Sequence, residues 1–496
     1  MGIVARQSII SSVFLYLGAA LGYLNILYLF PAYLSETEIG ITRTVQDMAA
    51  LFVPIAQFGM TQSLIRFYPQ LKDNDSVKSS FLTLVMLLGI AGYIVFFVLF
   101  SIFQPSIIDY FDDRAAAVIS YIPFFLVITF LLLIFNLLTA YSNSLLKSVV
   151  PNLLRDVVFR LVVAMAVVLY FMGIIGFYGF FVFITSSYGL MALFLITYLM
   201  QQKVLRFGFD FSFLTAGILK KILAFALFSL LGTSGILVIG KIDSLMISGM
   251  LGLELNAVYT TVFYIAVIIE YPKRAIHHII FPLVSRAFAS HDITTVAKLY
   301  KQSSINQLIA GSILYIGIII NIDSIFAIMP KGDIFEAGKY VIIIIGAGKI
   351  IDMAAGINSE IVVLSKYYRF NMVLLALLAA VTIYLNLILI PPYGINGAAL
   401  GSSLGLILYN LSKYIFLYVK FGIQPFSIHT LIVLFIGAIS LFFSLMVPNL
   451  GNELFNIIVR SGLAVTLFGL GILILKPSPE VSELISRYLP LLRKKH

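Results

Sequence analysis

The chain has 496 residues, 61% of them apolar and only 11% charged, with 32 basic and 22 acidic side chains giving a formal charge of +10. A soluble globular protein carries about 25% charged residues, and a mean hydropathy of +1.06 points the same way, so a soluble enzyme, a disordered chain and a secreted disulfide scaffold are excluded. Cysteine is absent, which removes disulfides, thiolate metal sites and cysteine nucleophiles.

A hydrocarbon core about 30 Å thick needs roughly 20 apolar residues per helix. Fourteen segments satisfy this: 9–33, 41–65, 79–103, 118–141, 152–172, 177–200, 222–247, 255–280, 302–327, 338–364, 370–391, 395–419, 428–448 and 453–475. The first is too long for a cleavable signal, has only Arg6 before it and is followed by PAYLSETE rather than a small-residue cleavage site. Asn25 is its one strongly polar residue at depth and a candidate cavity-lining group. With no tryptophan in the chain, 27 tyrosines and 42 phenylalanines must supply any aromatic belt.

The second segment is the least hydrophobic. Arg43, Asp47, Pro54, Gln57 and Thr61 recur at helical spacing and fall in one narrow sector of a regular helix. An Arg43–Asp47 pair closed within the helix would explain the first two residues but not the rest, so the stripe is expected to line a hydrated cavity. The seventh segment carries Lys241 and Asp243 in GKIDSLMISGMLG. Two residues apart, these point in different directions and cannot simply neutralise each other.

In the eighth segment Thr260, Tyr264, Tyr271, Arg274 and His278 share a face, with Glu270 to one side. Pro272 should kink the helix and free a carbonyl one turn back. Glu270 is either a protonatable or sodium-coordinating site, alongside Asp47 and Asp243, or the partner of Arg274 one turn on. Lys273 reads as an ordinary anchor at the cytoplasmic end. The tenth segment holds Lys349 and Asp352, spaced for an ion pair within the helix, then Gly356 and Glu360 on the same face. Arg460 in the last span faces a partner the sequence does not name.

Basic residues set the orientation. With the N-terminus inside, 24 of the 32 lysines and arginines fall on inner segments, three on outer segments (Arg114, Lys331, Lys339) and five within spans (Arg43, Arg160, Lys241, Lys349, Arg460). This bias accounts for the positive charge without nucleic acid, and both termini are expected in the cytoplasm. The end of the chain (477–496) reads as a basic interfacial tail.

Two echoes mark a repeat: IGFYGFFV at 175–182 recurs as YGINGAAL at 393–400, and RFGFDFS at 206–212 recurs as KFGIQPFS at 420–427. The paired glycines, Gly176 with Gly394 and Gly179 with Gly397, suit a tight turn between two packed helices. Six spans return the chain to its starting side, so the halves are parallel repeats, an architecture associated with transporters whose substrate lies between them. The expected fold is an all-α polytopic membrane protein of 14 helices: a first six-helix lobe in 1–220, a second in 221–423, and two further helices in 424–476. The five histidines show no zinc spacing, and no Walker A, Gly-x-Ser-x-Gly or HExxH motif is present. The longest outer segments, 104–117 and 328–337, are too short for a surface catalytic domain.

The segments LSETEIGITRTVQDMAALFVPIAQFGMTQSLIRFYP (34–69), GKIDSLMISGMLG (240–252), YPKRAIHHIIFPLVSRAF (271–288), GINSEIVVLSKYYRFN (356–371) and YGINGAALGSSLGLILYN (393–410) resemble the polysaccharide-exporter branch of the multidrug/oligosaccharidyl-lipid/polysaccharide superfamily, the O-antigen-type lipid-linked oligosaccharide flippases. The resemblance covers nearly the whole chain. It implies a MATE-like fold, with two lobes in a V around a cavity lined by the first, second, seventh and eighth helices. Such proteins are not enzymes. They move a polyprenyl-diphosphate-linked glycan from the cytoplasmic to the outer leaflet of the inner membrane by alternating access, for lipopolysaccharide and other surface polysaccharides.

On this resemblance Arg43, Lys241 and Arg274 match the cations that hold diphosphate or acidic sugars, and the last two helices add a groove for the lipid tail. No cofactor is implied beyond Na+ or H+ as coupling ion. Membrane lipids and polysaccharide polymerases are the expected partners of a monomeric transport unit. Charges alternate in sign (Arg43 with Asp47, Lys241 with Asp243), which leaves an acidic glycan open. Two other readings stand beside the flippase: a cation-coupled drug or metabolite exporter of the same fold, and a non-transporting scaffold in envelope assembly.

Overall fold

The computed structural model describes residues 3–71, 74–478 and 481. The expected basic tail lies almost wholly outside the described residues, as do Lys72 and the side chains of Arg6 and His278. Among the described residues every regular element is helical. In chain order these are α1 (Ile3–Tyr23, continuing through a π-bulged stretch Leu24–Leu29 to Phe30–Tyr33), α2 (Glu36–Ala56 and, after a 54° bend, Met60–Gln70), α3 (Asp75–Ala115), α4 (Ala116–Ser144), α5 (Val149–Leu153, π-bulged Leu154–Val158, Phe159–Phe171), α6 (Phe177–Gln201) and α7 (Ala216–Leu251). There follow α8 (Leu253–Val267, a 3₁₀ turn Ile268–Glu270, Tyr271–Ala289), α9 (Ile293–Ile320), α10 (Gly332–Ala354 and, after a 50° bend, Asn358–Leu364), α11 (Tyr368–Tyr393), α12 (Ile395–Phe421), α13 (Ile428–Leu445) and α14 (Glu453–Leu475).

Each of the fourteen expected spans falls on one of these helices. Among the described residues nine pass as membrane spans by length and composition alone, and up to eleven if each bent pair is one span. α5, α7 and α12 make up the rest of the expected set, and all three carry polar or charged residues in their middles. The protein is a multi-pass membrane protein. Its lipid side is visible as rows of exposed apolar residues, for example Val95, Leu99, Ile102 and Phe103 on α3.

Several boundaries differ from expectation for local reasons. The segment 104–117 is not an outer loop but the end of α3, with Pro105 inside the helix. The ninth span ends at Ile320, and Ile322–Ile328 forms a separate short helix. Pro272 sits in the first turn after the 3₁₀ turn of α8, where its missing N–H costs nothing. The tightened turn absorbs the geometry that an interior proline would have broken.

The chain divides into two compact units, Met1–Ala257 and Val258–His496. In the first, α7 packs along α2, and α4 lies against both α2 and α6. α1 and α5 meet where both are π-bulged: Asn25 Nδ2 donates to the Arg160 carbonyl at 2.8 Å, and Arg160 Nη1 donates to the Gly18 carbonyl. In the second unit α10 and α11 flank α12. The last two helices dock on α9, where Leu308, Ile316, Val433, Ile436, Phe468 and Ile472 form one buried cluster. Helix packing in lipid lacks a hydrophobic driving force and relies on small residues and interhelical hydrogen bonds. α10 and α12 follow that rule: Gly348 abuts Ser403, whose Oγ donates to the Ile344 carbonyl at 3.1 Å.

Both paired glycine turns sit where the repeat requires. Gly176 is the N-cap of α6 and Gly394 the N-cap of α12. The equivalence ends at the next pair. At Gly397 a β-carbon would lie 2.0 Å from the Leu389 carbonyl oxygen of α11, whereas at Gly179 the nearest atom is the Ile175 side chain at 3.1 Å.

Candidate functional site

Among the described residues buried charges cluster on two groups of helices, one in each unit. The first forms on α2, α7 and the start of α8. A capping box, with the Ser35 hydroxyl on Glu38 N–H and the Glu38 carboxylate on Ser35 N–H, starts α2. From there Gly40, Thr44 and Asp47 recur at i, i+4 and i+7 on one helix face. Gly40 approaches the Leu253 carbonyl so closely that a β-carbon would stand 2.2 Å from its oxygen. One turn on, Thr44 Oγ1 and Ser248 Oγ lie 2.7 Å apart, and Asn256 Nδ2 donates to Thr44 Oγ1 at 3.1 Å. At the next turn Lys241 Nζ donates to Asp47 Oδ1 at 2.6 Å.

Asp47 thus has a partner from α7, one that spacing along its own helix does not offer. The Arg43 guanidinium stacks 5.2 Å above the Phe30 ring of α1. Arg43 and Asp47 are 7% and 6% exposed, and the Lys241 side chain 28%, so the lysine end of the pair is the accessible one. Asp243 is buried. The stripe does not continue as one regular helix face. Phe58 and Gly59 adopt left-handed backbone, α2 bends there, and Gln57 becomes the C-cap, its Oε1 accepting from Thr61 Oγ1 at 2.7 Å. Asn25 is buried against α5 through its bond to Arg160, so its visible role is helix packing.

The second collection lies on α8, α10 and α12. Glu270 Oε1 accepts from Arg274 Nη2 at 3.1 Å, and its Oε2 accepts from Lys349. Asp352 accepts from Lys273 Nζ at 2.6 Å through Oδ2 and from Asn410 Nδ2 at 2.9 Å through Oδ1. Asn358 Nδ2 extends this to Asn410 Oδ1 at 2.8 Å. His277 Nδ1 and Glu360 Oε1 are 2.7 Å apart. Lys413, 1% exposed, donates to Ser359 Oγ at 2.7 Å and lies 3.7 Å from the centroid of the Tyr409 ring.

Two expectations are overturned here. Lys349 and Asp352 do not pair with each other; each reaches across to α8. Lys273 is no simple anchor but the ion-pair partner of Asp352. Of the two readings of Glu270, the structure shows the counter-charge of Arg274, and it adds Lys349 of α10 as a second partner. Tyr264 and Tyr271 are half-buried, with Arg274 5.3 Å above the Tyr271 ring. Arg460 finds its partners in the carbonyls of Ile320 and Val447.

Lys413, Asn410, Asn358, Ser359 and the His277–Glu360 pair were not singled out by sequence. The available signal was YNLSK at 409–413, an aromatic, an amide and a lysine interrupting an apolar helix, but a lysine that near a predicted helix end counts as positive-inside charge. Charges in hydrocarbon cost several kcal/mol unless paired, and pairing from three helices is what α8, α10 and α12 supply. In this cluster four cations (Lys273, Arg274, Lys349, Lys413) face three carboxylates (Glu270, Asp352, Glu360). The side chain of Arg274 is 46% exposed.

Residues 4–288 match the family model described as Polysaccharide biosynthesis protein. The chain belongs to that family. It is 24% identical over 500 residues to an uncharacterized membrane protein of Methanocaldococcus jannaschii, covering 95% of this chain and 96% of the relative. Among solved structures, the lipid II flippase MurJ in an inward closed conformation aligns with a TM-score of 0.70 at 13% identity, over 94% of this chain and 98% of that one. An inward-facing MATE family multidrug resistance transporter of the MOP superfamily aligns with a TM-score of 0.66 at 12% identity, over 82% and 94%. The fold is therefore shared with these two solved proteins, described as a flippase and a multidrug resistance transporter.

Proposed function

We propose that this polysaccharide biosynthesis family member is a flippase that carries a polyprenyl-diphosphate-linked oligosaccharide from the cytoplasmic to the outer leaflet by alternating access. The reading places it in the inner membrane with both termini in the cytoplasm, acting as a monomer beside a polysaccharide polymerase, with 1–220 and 221–423 as the repeated halves. A diphosphate and several sugars do not cross hydrocarbon unaided at a useful rate, while a polyprenyl tail stays in lipid. The observation that carries the proposal is the charge held at membrane depth on α2, α7, α8, α10 and α12, where Lys241, Lys273 and Arg274 are more accessible than the carboxylates they pair with. Lys241 in the first unit and Arg274 in the second are each an accessible cation of the kind that binds a diphosphate. Arg43, over the Phe30 ring, is a second cation of the first unit's cluster, and Tyr264 and Tyr271 offer aromatic rings to sugars.

Asp47, Asp243 and Glu270 are the carboxylates on which Na+ or H+ coupling would act. For Asp47 and Glu270 a coupling ion would have to displace Lys241, or Lys349 and Arg274, so binding of the ion and release of the lysine are one event. Asn25 and Gln57 support the site by holding α1 on α5 and by capping the upper half of α2.

The test is a leaflet-resolved assay of lipid-linked oligosaccharide in cells depleted of the protein. Accumulation on the cytoplasmic side is expected, with restoration by the parent chain and not by Lys241→Glu. An unchanged leaflet distribution overturns the proposal. A shift in drug resistance instead would identify the drug exporter, and full activity of Lys241→Glu the scaffold.

A further inference from the structure

Away from both charge clusters, the first unit holds a cavity of about 300 Å³ lined by Tyr68 at the end of α2, Asp75, Lys78 and Ser79 at the start of α3, Tyr141 and Leu145 at the end of α4, and Lys203, Val204 and Arg206 of the linker after α6. Pockets of this size lie at the small end of those that take ligands. Three of the lining side chains are cationic and one is a carboxylate, Asp75, which Arg206 Nη1 engages at 3.1 Å. Positive-inside topology accounts for basic residues near helix ends. It does not require basic residues from two chain segments to converge on one cavity, where three cations share the single lining carboxylate of Asp75.

The linker that brings Lys203 and Arg206 there is clamped rather than loose. Tyr141 Oη donates to the Val204 carbonyl at 2.6 Å, and Lys147 Nζ donates to Gln202 Oε1 at 2.9 Å. Gly208 N–H donates to Thr83 Oγ1 at 3.1 Å, and Asp210 N–H to Ser80 Oγ at 3.0 Å. The Tyr68 and Tyr141 rings meet edge to face at 5.3 Å and form an aromatic wall beside the cations. The linker backbone that carries Lys203 and Arg206 is thus fixed before any ligand arrives, which lowers the ordering cost of binding.

We infer that this cavity is a binding site for a phosphate-bearing anion, gripped by Lys78, Lys203 and Arg206 and seated against Tyr68 and Tyr141. Ammonium and guanidinium groups together suit phosphate oxygens, the arginine through parallel N–H bonds and the lysines as point charges. The anion is either the headgroup of a membrane lipid or a free phosphate compound. The site is independent of the transport reading, since it requires no passage through the bilayer.

The test uses the purified full chain in phosphatidylcholine nanodiscs, with thermal stability and bound-lipid mass as readouts. One arm titrates phosphatidylglycerol into the disc; the other adds inorganic pyrophosphate at constant ionic strength. At least one ligand is expected to bind and raise Tm. The variant Lys78→Gln/Lys203→Gln/Arg206→Gln should lose about a hundredfold in apparent affinity, the loss expected of three basic residues near a membrane surface. A charge-matched control, Lys366→Gln/Arg369→Gln/Lys420→Gln, should lose little. A response to phosphatidylglycerol alone assigns the site to a lipid headgroup; a response to pyrophosphate assigns it to a free phosphate compound. Equal losses in the triple variant and the control, or no response of the parent chain to either ligand, overturn the inference. Should the triple variant fail to fold, Asp75→Asn decides: removing the competing carboxylate should tighten binding several-fold, and unchanged or weaker binding counts against the site.

Discussion

Asp47 and Lys241 illustrate how one side chain at membrane depth depends on another. Removing one partner from a buried ion pair strands the other and costs about 3–5 kcal/mol, whereas replacing both with apolar groups of similar volume is often neutral or better. Lys241 is the more accessible of the two, so the lower end applies. Asp47→Asn should destabilise the protein by about 3 kcal/mol, and Asp47→Leu/Lys241→Met should recover to within about 1 kcal/mol of the parent, both read from unfolding in detergent. The double variant should still fail in the leaflet assay. If it transported normally, Lys241 would be a packing residue only.

The same pair shows what residue spacing reveals and what it hides. Arg43 and Asp47 stand four apart, and Lys349 and Asp352 three apart, so an intrahelical ion pair is the partner that sequence can see. The structure gives both carboxylates lysines from other helices, because a charge facing a neighbouring helix finds its counter-charge there. That Arg43, Asp47, Lys241 and Glu270 would be special was legible from their depth alone; whom they would touch was not.

Outside the membrane-spanning segments, Asp292 caps α9, accepting from Thr295 N–H at 2.9 Å and from Thr295 Oγ1 at 2.6 Å. These hydrogen bonds hold its carboxyl below the usual carboxylate range, the side-chain bond contributing most. A depressed folded-state value means the cap stabilises above the unfolded value, near pH 4, and is lost as pH falls through the folded one. Asp292→Ala should therefore lower Tm at pH 7, with the difference from the parent shrinking below about pH 4. A difference that stays constant down to pH 2.5 would contradict the assignment.

At the scale of helices, hydropathy found the spans because length and apolarity are what a bilayer demands, and the glycine echoes found the matching turns before α6 and α12. The breaks in α2 and α10 were not legible. A polar stripe is judged by assuming a regular helix, and nothing about Phe58 announces a φ of 52°. The echo also concealed a difference in use. Gly397 is pressed against the backbone of α11, while Gly179 meets only a side chain that can move. Gly397→Ala should destabilise by about 1–3 kcal/mol, the usual cost of overpacking, and Gly179→Ala by less than about 0.5 kcal/mol. Equal Tm losses in the two would mean that both glycines serve the turn alone.

For the molecule as a whole, charge at membrane depth has two uses that must be separated. Buried members such as Asp352 and Lys413 hold helices together, whereas half-exposed cations such as Arg274 have little packing to lose. Arg274 keeps Glu270 company, yet Lys349 also engages Glu270, so truncating the arginine does not strand the carboxylate. Arg274→Ala should leave Tm within about 2 °C of the parent, as expected of a substitution worth under about 0.5 kcal/mol. If the arginine meets the diphosphate as the flippase reading requires, the same variant should slow leaflet transfer by about tenfold, the loss of one charge-assisted contact near 1.4 kcal/mol. Asp352→Ala, which strands Lys273, should lower Tm and transport together. Measuring both quantities on both variants separates the two uses. Transport that declines only in step with Tm would make α8 a structural helix and move the substrate contacts elsewhere.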